Sequence, residues 1–280
     1  SKVRKAIEDL KIDSLHIATE GPLGWAARNL AVAKGWQFTT SLHTKFPEYI
    51  NKRTFMPVSW GYAILRRFHA KAHSTLVTTA SQQQELAERG ITNTQVWLRG
   101  VDTKLFTDQG PMLPEIEQAD WPRPYFMNLG RVAIEKNLTD FLKLDLPGTK
   151  IVVGQGPDLE KLKKAYPDVK FLGAKQGQDL AAAYRAADVF VFPSKTDTFG
   201  LVIVEALASG VPVAAYPVTG PKDIVTDPMV GALRNDLKQA CVESLAKDAS
   251  ACRSHAQKFS WDACTSRFRN ALITLEGQRL

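Results

Sequence analysis

The sequence predicts an α/β protein of two consecutive domains, each built on a parallel sheet. Three observations predict it. Short apolar runs alternate with stretches at helical spacing, which is how strand–helix units feed a parallel sheet. The run Val189-Phe190-Val191-Phe192 is apolar throughout, as a strand covered on both faces must be. Residues 108–124, rich in proline and acid and without an apolar period, interrupt the alternation and read as a linker. A chain of 280 residues is long enough for two domains.

The elements follow in order. Residues 3–10 have helical spacing and 14–18 read as a strand. Gly21-Pro22-Leu23-Gly24 reads as a turn, 25–34 as a helix with Gly35 past its end, and 38–42 as a strand ending at His43. Residues 46–60 carry prolines and mixed polarity and read as a loop with room for a short helix. A helix follows over 62–72, then a strand over 75–79, a helix over 82–89 capped by Ser81, and a strand over 94–98. Beyond the linker, strands are expected at 125–129, 150–153, 169–172, 189–192 and 212–216. Helices are expected at 138–144, 158–166, 178–186 and 201–209, the last ended by Gly210 and Pro212. Residues 260–275 read as a closing amphipathic helix with Trp261 and Phe268.

The chemistry is densest in residues 189–212. A strand, a polar loop and a helix place the loop at a strand's carboxyl end and a helix N-terminus, where bare N–H groups favour an anion such as a diphosphate. Asp197 lies in the loop and Glu205 in the helix. A helical side chain leans toward the helix N-terminus, so both can face one ligand. The plain alternative is a first-turn Asp and a solvated Glu. Residues 128–137 repeat the arrangement, with Arg131 as a planar fork and Lys136 as a point charge, a pair suited to two phosphates. Read alone, both are ordinary surface charges. Gly154-Gln155-Gly156 lacks the third glycine of a dinucleotide fingerprint, Leu159 standing there, so a Rossmann dehydrogenase is rejected. Gly173-Ala174-Lys175 follows a strand and is a weak signal by itself. His43 and Glu20 also follow strands, the end that meets ligands in an open sheet. His69 and His73 are four apart with no Glu of the H-E-x-x-H form between them and read as surface residues.

Charge divides the chain. Residues 1–107 hold 15 Lys/Arg against 8 Asp/Glu, whereas 108–280 hold 21 of each. A basic domain beside a neutral one suits an anionic partner, or only solubility. Without a basic stripe interleaved with aromatics, nucleic acid is disfavoured. Lys52, Arg53, Arg66, Arg67 and Lys71 lie near Tyr62, Leu65 and Phe68, a mixture suited to an anionic membrane surface. No apolar run approaches 18 residues, and the opening stretch is a charged amphipathic helix rather than a secretory signal. Three cysteines, Cys241, Cys252 and Cys264, lack C-x-x-C spacing and read as reduced thiols of a cytosolic protein without zinc.

The segment PSKTDTFGLVIVEALASGVPV resembles the E-x7-E segment of retaining GT-B glycosyltransferases of the family-four type, also called group 1, with Asp197 in place of the first Glu. The G-R…E-K pattern of Gly130, Arg131, Glu135 and Lys136 belongs to the same resemblance. Together with residues 43–50, 66–69 and 99–106, it is similar to members that include lipid sulfoquinovosyl- and mannosyltransferases. The resemblance implies a GT-B fold, two Rossmann-like domains facing a cleft, the first incomplete: 1–107 on the acceptor side, linker 108–124, a nucleotide-sugar domain 125–259, and a helix, 260–280, crossing back. The family's opening strand and glycine loop are not found at the start of this sequence, and roughly the first quarter of the family's length is expected to be missing. The implied reaction is retaining, metal-independent transfer of a hexose from a donor such as a UDP- or GDP-hexose. The acceptor is read as a membrane lipid or glycan. The implied place is the cytoplasm, peripheral at the inner membrane face. No cofactor and no metal are expected. His43, Arg131, Lys136 and Asp197 are the implied catalytic residues. Gly173, Lys175, Gly200, Leu201 and Glu205 are implied for the nucleotide, and Asp197, Thr198, Phe199 and Gly200 for the donor sugar. Glu20 is assigned to the acceptor. A nucleotide-sugar epimerase or hydrolase on this fold, and a catalytically incomplete nucleotide-binding remnant, are the alternatives.

Overall fold

The computed structural model describes residues 2–43 and 46–279. Thr44 and Lys45 of the stretch after His43, and the side chains of Lys52 and Arg53, lie outside the described residues. The chain divides into two compact units, one made of Ser1–Leu98 with Cys264–Leu280, the other of Arg99–Ala263.

The first unit runs α1 (Lys2–Asp9), β1 (His16–Ile17), α2 (Pro22–Lys34), β2 (Thr39–Leu42), α3 (Phe46–Thr54), α4 (Val58–His69), β3 (Ser74–Val77), α5 (Ala80–Glu88) and β4 (Thr94–Val96). Its four strands are parallel in the order β1-β2-β3-β4. Three expectations are corrected. The turn at 21–24 is the first turn of α2, because Pro22 stands where a helix needs no N–H. Residues 46–60 are mostly helical: Pro47 sits in the first turn of α3 and Pro57 caps α4, both positions where proline is tolerated. The cap of α5 is Thr79, not Ser81; its side chain accepts from the Gln82 N–H at 3.1 Å. Phe38, Phe68 and Ala31 form one core cluster, and Leu42, Leu65, Val77 and Leu86 form another, with α4 contributing to both.

The second unit runs α6 (Pro114–Glu117), β5 (Tyr125–Leu129), a short 3-10 turn (Ile134–Lys136), α7 (Leu138–Leu142), β6 (Thr149–Val153), α8 (Leu159–Ala165), β7 (Lys170–Phe171) and α9 (Gly177–Ala186). It continues with β8 (Val189–Phe192), α10 (Leu201–Ala208), β9 (Val213–Ala215), α11 (Pro221–Ile224), β10 (Gly231–Leu233), α12 (Leu237–Ser244) and α13 (Ala249–Ala256). All six strands are parallel, in the order β10-β9-β8-β5-β6-β7. The stretch read as a linker is packed into this unit. Ile116 is buried, the Leu113 N–H donates to the Ala182 carbonyl at 3.1 Å, and Arg185 holds the Pro111 carbonyl at 2.8 Å. Two apolar side chains were too few to show a period. Helices α12 and α13 and strand β10 had no place in the sequence reading, although Asp236 and Asp248 cap the two helices with their side chains. The closing helix α14 (Trp261–Ala271) is shorter than the expected 260–275.

Candidate functional site

In the second unit β5 and β8 are neighbours at the middle of the sheet. From β5 the chain moves outward to β6 and β7; from β8 it moves the opposite way to β9 and β10. An open parallel sheet leaves a crevice at such a switch, beyond the carboxyl ends of the strands. The loops that leave those two ends are the two segments singled out above. A pocket lies there, lined by Asn128, Arg131, Lys136, Ser194 and Val202. A second lobe shares Gly130, Arg131 and Val202 with it and reaches Gln155, Lys175, Tyr184 and Glu205. One crevice in the second unit thus brings together Arg131, Lys136, Lys175 and Glu205.

Loop positions are fixed by side-chain hydrogen bonds. Asn128 donates to the Val191 carbonyl at 2.9 Å, tying the end of β5 to β8. Asn137, in the left-handed region at φ 53°, donates to the Pro193 carbonyl at 3.1 Å and to Asp140 at 2.6 Å. Burial pushes the Asp140 carboxyl up, but hydrogen bonds from Asn137, Tyr216 and Lys195 outweigh it and hold the acid below its usual range. Lys195 and Tyr216 lie 3.0 and 2.8 Å from the same oxygen.

Lys136 Nζ lies 2.6 Å from Asp197 Oδ1, while Asp197 Oδ2 is buried without a hydrogen-bond partner. The two residues expected to meet the diphosphate and the sugar therefore meet each other. Arg131 is mostly exposed and lies 3.4 Å from Glu135. Gly200 starts α10 at φ 95°, a left-handed conformation that an L side chain rarely adopts, and a Cβ there would lie 3.0 Å from Ile203. No side chain caps α10. Glu205 accepts from the Tyr184 hydroxyl at 2.7 Å. Burial raises the Glu205 carboxyl, and the Tyr184 hydrogen bond opposes the shift only in part.

Other expected residues sit differently. Lys175 is in the crevice, but Glu115 from α6 holds its ammonium at 2.6 Å. Gly173 turns the chain after β7 at φ 69°. Leu201 is exposed. Phe199 is buried and packs edge-on against Phe259 at 6.0 Å, so its side chain is not offered to a sugar. Thr198 stands between it and Asp197 in the same loop. His43 is half-buried just past β2, its ring 5.7 Å from Trp97. His69 is not a surface residue: it is fully buried on the face of α4 shared with Leu65 and Phe68, and bonds Thr40 and Glu20. His73 is exposed, as expected. Tyr62, Leu65 and Phe68, grouped above with the basic residues, turn inward instead, while Trp60 and Ile64 are exposed. Asn128 and Tyr184 were missed, because their partners, the Val191 carbonyl and Glu205, lie on other elements rather than at a readable spacing. Ser194, whose hydroxyl is buried without a hydrogen-bond partner, carried no signal. Among the described residues no cluster of His, Cys, Asp or Glu could hold a metal ion, and no helix is long and apolar enough to cross a membrane.

A strand-switch crevice lined by cations and a helix-borne acid, in a chain that also holds a second parallel α/β unit, is the organisation of GT-B glycosyltransferases. The chain belongs to the family-four, group 1 glycosyltransferases: residues 1–105 match the family described as Glycosyltransferase Family 4, and residues 123–249 match Glycosyl transferases group 1. The sulfoquinovosyl transferase SQD2 of Arabidopsis thaliana is 32% identical over 96% of this chain and 58% of its own. The alpha-monoglucosyldiacylglycerol synthase of Streptococcus pneumoniae is 26% identical over 88% of this chain and 62% of its own. The chain thus spans about three-fifths of the length of these relatives. Anabaena Alr3699/HepE, solved in complex with UDP, superposes with a TM-score of 0.76 over 95% of this chain and 80% of its own, at 19% identity.

Proposed function

We propose that the chain transfers a hexose, with retention, from a nucleotide sugar such as a UDP- or GDP-hexose to a membrane lipid, without a metal. It would work at the cytoplasmic face of a membrane. The observation that carries this reading is the single crevice at the β5/β8 switch holding Arg131, Lys136 and Glu205. Arg131 and Lys136 meet the diphosphate, whose oxygens gain charge as the glycosidic bond breaks. Glu205 takes the ribose hydroxyls with the oxygen that Tyr184 leaves free. Asp197 meets the sugar once the phosphates draw Lys136 toward themselves. His43 is assigned to the donor sugar by the family resemblance. The lipid acceptor is supported by the name of the pneumococcal relative, by the excess of basic residues in 1–107, and by exposed apolar side chains on α3 and α4.

The test is calorimetric titration with UDP and GDP, followed by product analysis by NMR with each hexose donor and a diacylglycerol acceptor. Expected are binding of one nucleotide, its loss in Glu205→Ala with the fold intact, and an α-linked glycolipid formed in the presence of a chelator. Free epimer or free sugar would favour the epimerase or hydrolase. Nucleotide binding without product would favour the remnant. An unchanged dissociation constant in Glu205→Ala would sink the ribose role. Co-sedimentation with anionic vesicles that weakens with salt is the expected sign of the peripheral membrane contact.

A further inference from the structure

The first unit holds an open cavity of about 370 Å³, within the range of small-molecule sites. One wall is Phe46 and Ile50 of α3; another is Met56 and Ile64. Helices α3 and α4 close on each other because residue 61 is glycine: a Cβ there would lie 2.7 Å from Pro47. Tyr62 clamps the pair, donating to Glu48 of α3 at 2.8 Å beneath the Arg89 guanidinium, 4.0 Å from its ring. Glu20, just past β1, supplies the one charged side chain of the cavity lining among the described residues.

Glu20 is not there by chance of exposure. Its side chain is 12% exposed and its Oε1 lies 3.2 Å from Nε2 of His69, which is 0% exposed. A carboxylate only accepts, so Nε2 carries the proton, and in the neutral ring Nδ1 accepts from Thr40 at 2.8 Å. Thr40 in turn lies 3.0 Å from Thr75, and Asn93 holds the His69 carbonyl at 3.0 Å. A chain of buried polar groups runs from the sheet to the cavity and ends on a carboxylate whose other oxygen has no partner among the described residues. Burying a polar chain is unfavourable unless each group is bonded, and its last acceptor is the one left open.

We propose that this cavity binds an uncharged, hydroxyl-bearing amphiphile, with its aliphatic chain between α3 and α4 and its hydroxyl donating to Glu20, and that His69 is the positioning residue that aims Glu20. A hydroxyl fits because it has one proton to give and Glu20 has an oxygen free to accept it. An ammonium needs three acceptors, and the other side chains facing the cavity are almost all apolar. A metal ion is excluded by the lack of a ligand cluster among the described residues. Phe55 and Trp60, 90% and 65% exposed on the segment that lines the cavity, give an amphiphile an apolar approach. Calling this ligand the acceptor rests on the proposed function; the binding itself does not.

The experiment is calorimetry on the whole chain with monooctanoyl- and monododecanoylglycerol, with the dodecyl dimethyl ether analogue that has no hydroxyl, and with dodecylammonium. Affinity is expected to rise with chain length. Ile50→Trp should fill the cavity and abolish that rise. Glu20→Gln and His69→Gln should each weaken monododecanoylglycerol at least about tenfold, the size of one hydrogen bond to a charged group, and leave the ether unchanged. A purely structural His69 would move ether and glycerol ligands alike. Should His69→Gln not fold, Glu20→Gln alone carries the test. No binding, indifference to Ile50→Trp and Glu20→Gln, or tighter binding of dodecylammonium overturns the proposal. UDP and GDP titrations run in parallel: nucleotide without lipid binding sinks this inference alone, and lipid without nucleotide binding sinks the transferase reading alone.

Discussion

Each unit holds a partly buried carboxylate with one aromatic donor, and the surroundings differ. Glu205 takes the Tyr184 hydroxyl at 2.7 Å in a crevice that also holds Arg131 and Lys175. Glu20 takes the His69 ring at 3.2 Å beside apolar side chains, with no cation in the cavity lining among the described residues. The Glu205 site is built around separated charges and suits a polar anion that brings its own compensation. The Glu20 site is built around shape and one hydrogen bond. A charged site should lose function when a charge is removed and keep its fold; a relay-held site couples the two. That difference can be attacked residue by residue.

The largest effect is expected from the cations of the second unit. Arg131→Ala should lower turnover with a nucleotide sugar about 10²–10³-fold, as loss of one donor to developing charge does. Its melting midpoint should stay near that of the wild type, because an exposed side chain whose one ion pair is at 3.4 Å holds little of the fold. Lys136→Ala should act similarly on turnover, but it also strands Asp197, so some stability should go with it. Near-normal turnover in both variants would erase the contrast between the units.

A middle-sized effect is expected from Tyr184→Phe. The ring packs against Phe106 and Phe190 and stays, while the hydroxyl that serves Glu205 goes. A buried acceptor left without its donor destabilises by about 1–3 kcal/mol. Urea unfolding should show the midpoint fall, and nucleotide titration should show weaker binding. A variant of wild-type stability would mean that solvent already serves Glu205.

Legibility followed the same divide. Strand β5 was read to the residue, and β8 with it, because an apolar run between turn residues has few other readings. Arg131, Lys136 and Glu205 were singled out because they stand near strand ends at the spacing of the family's pattern. Tyr184 was not, since it meets Glu205 from another helix, 21 residues away. His69 was misread, since burial of an imidazole depends on Thr40 and Glu20, which are distant in the sequence. Helices α3 and α4 were blurred by prolines that occupy their first turns and caps. Helices α12 and α13 are weakly amphipathic, and only their Asp caps marked them.

The smallest effect is one of sign. Burial depresses His16 of the first unit from 6.5 to about 4, and burial raises Glu205 of the second above 4.5. Between pH 6.5 and 4 the unfolded chain binds a proton at His16 that the folded chain refuses, so this residue lowers stability as pH falls through that window. Above pH 4.5 the folded chain holds a proton on Glu205 that the unfolded chain releases, so this residue lowers stability as pH rises. Removing each group should therefore shift the melting midpoint in opposite directions along the pH axis. The midpoint of Glu205→Gln relative to the wild type should improve from pH 5 to pH 8, because glutamine is never ionised in the crevice. That of His16→Gln should improve from pH 8 to pH 5, the imidazole having been replaced by a group that does not titrate. Thermal melts of the whole chain at the two pH values read both differences. Parallel slopes for the two variants would show that one of the groups is solvated in the folded protein and would remove the electrostatic half of the comparison.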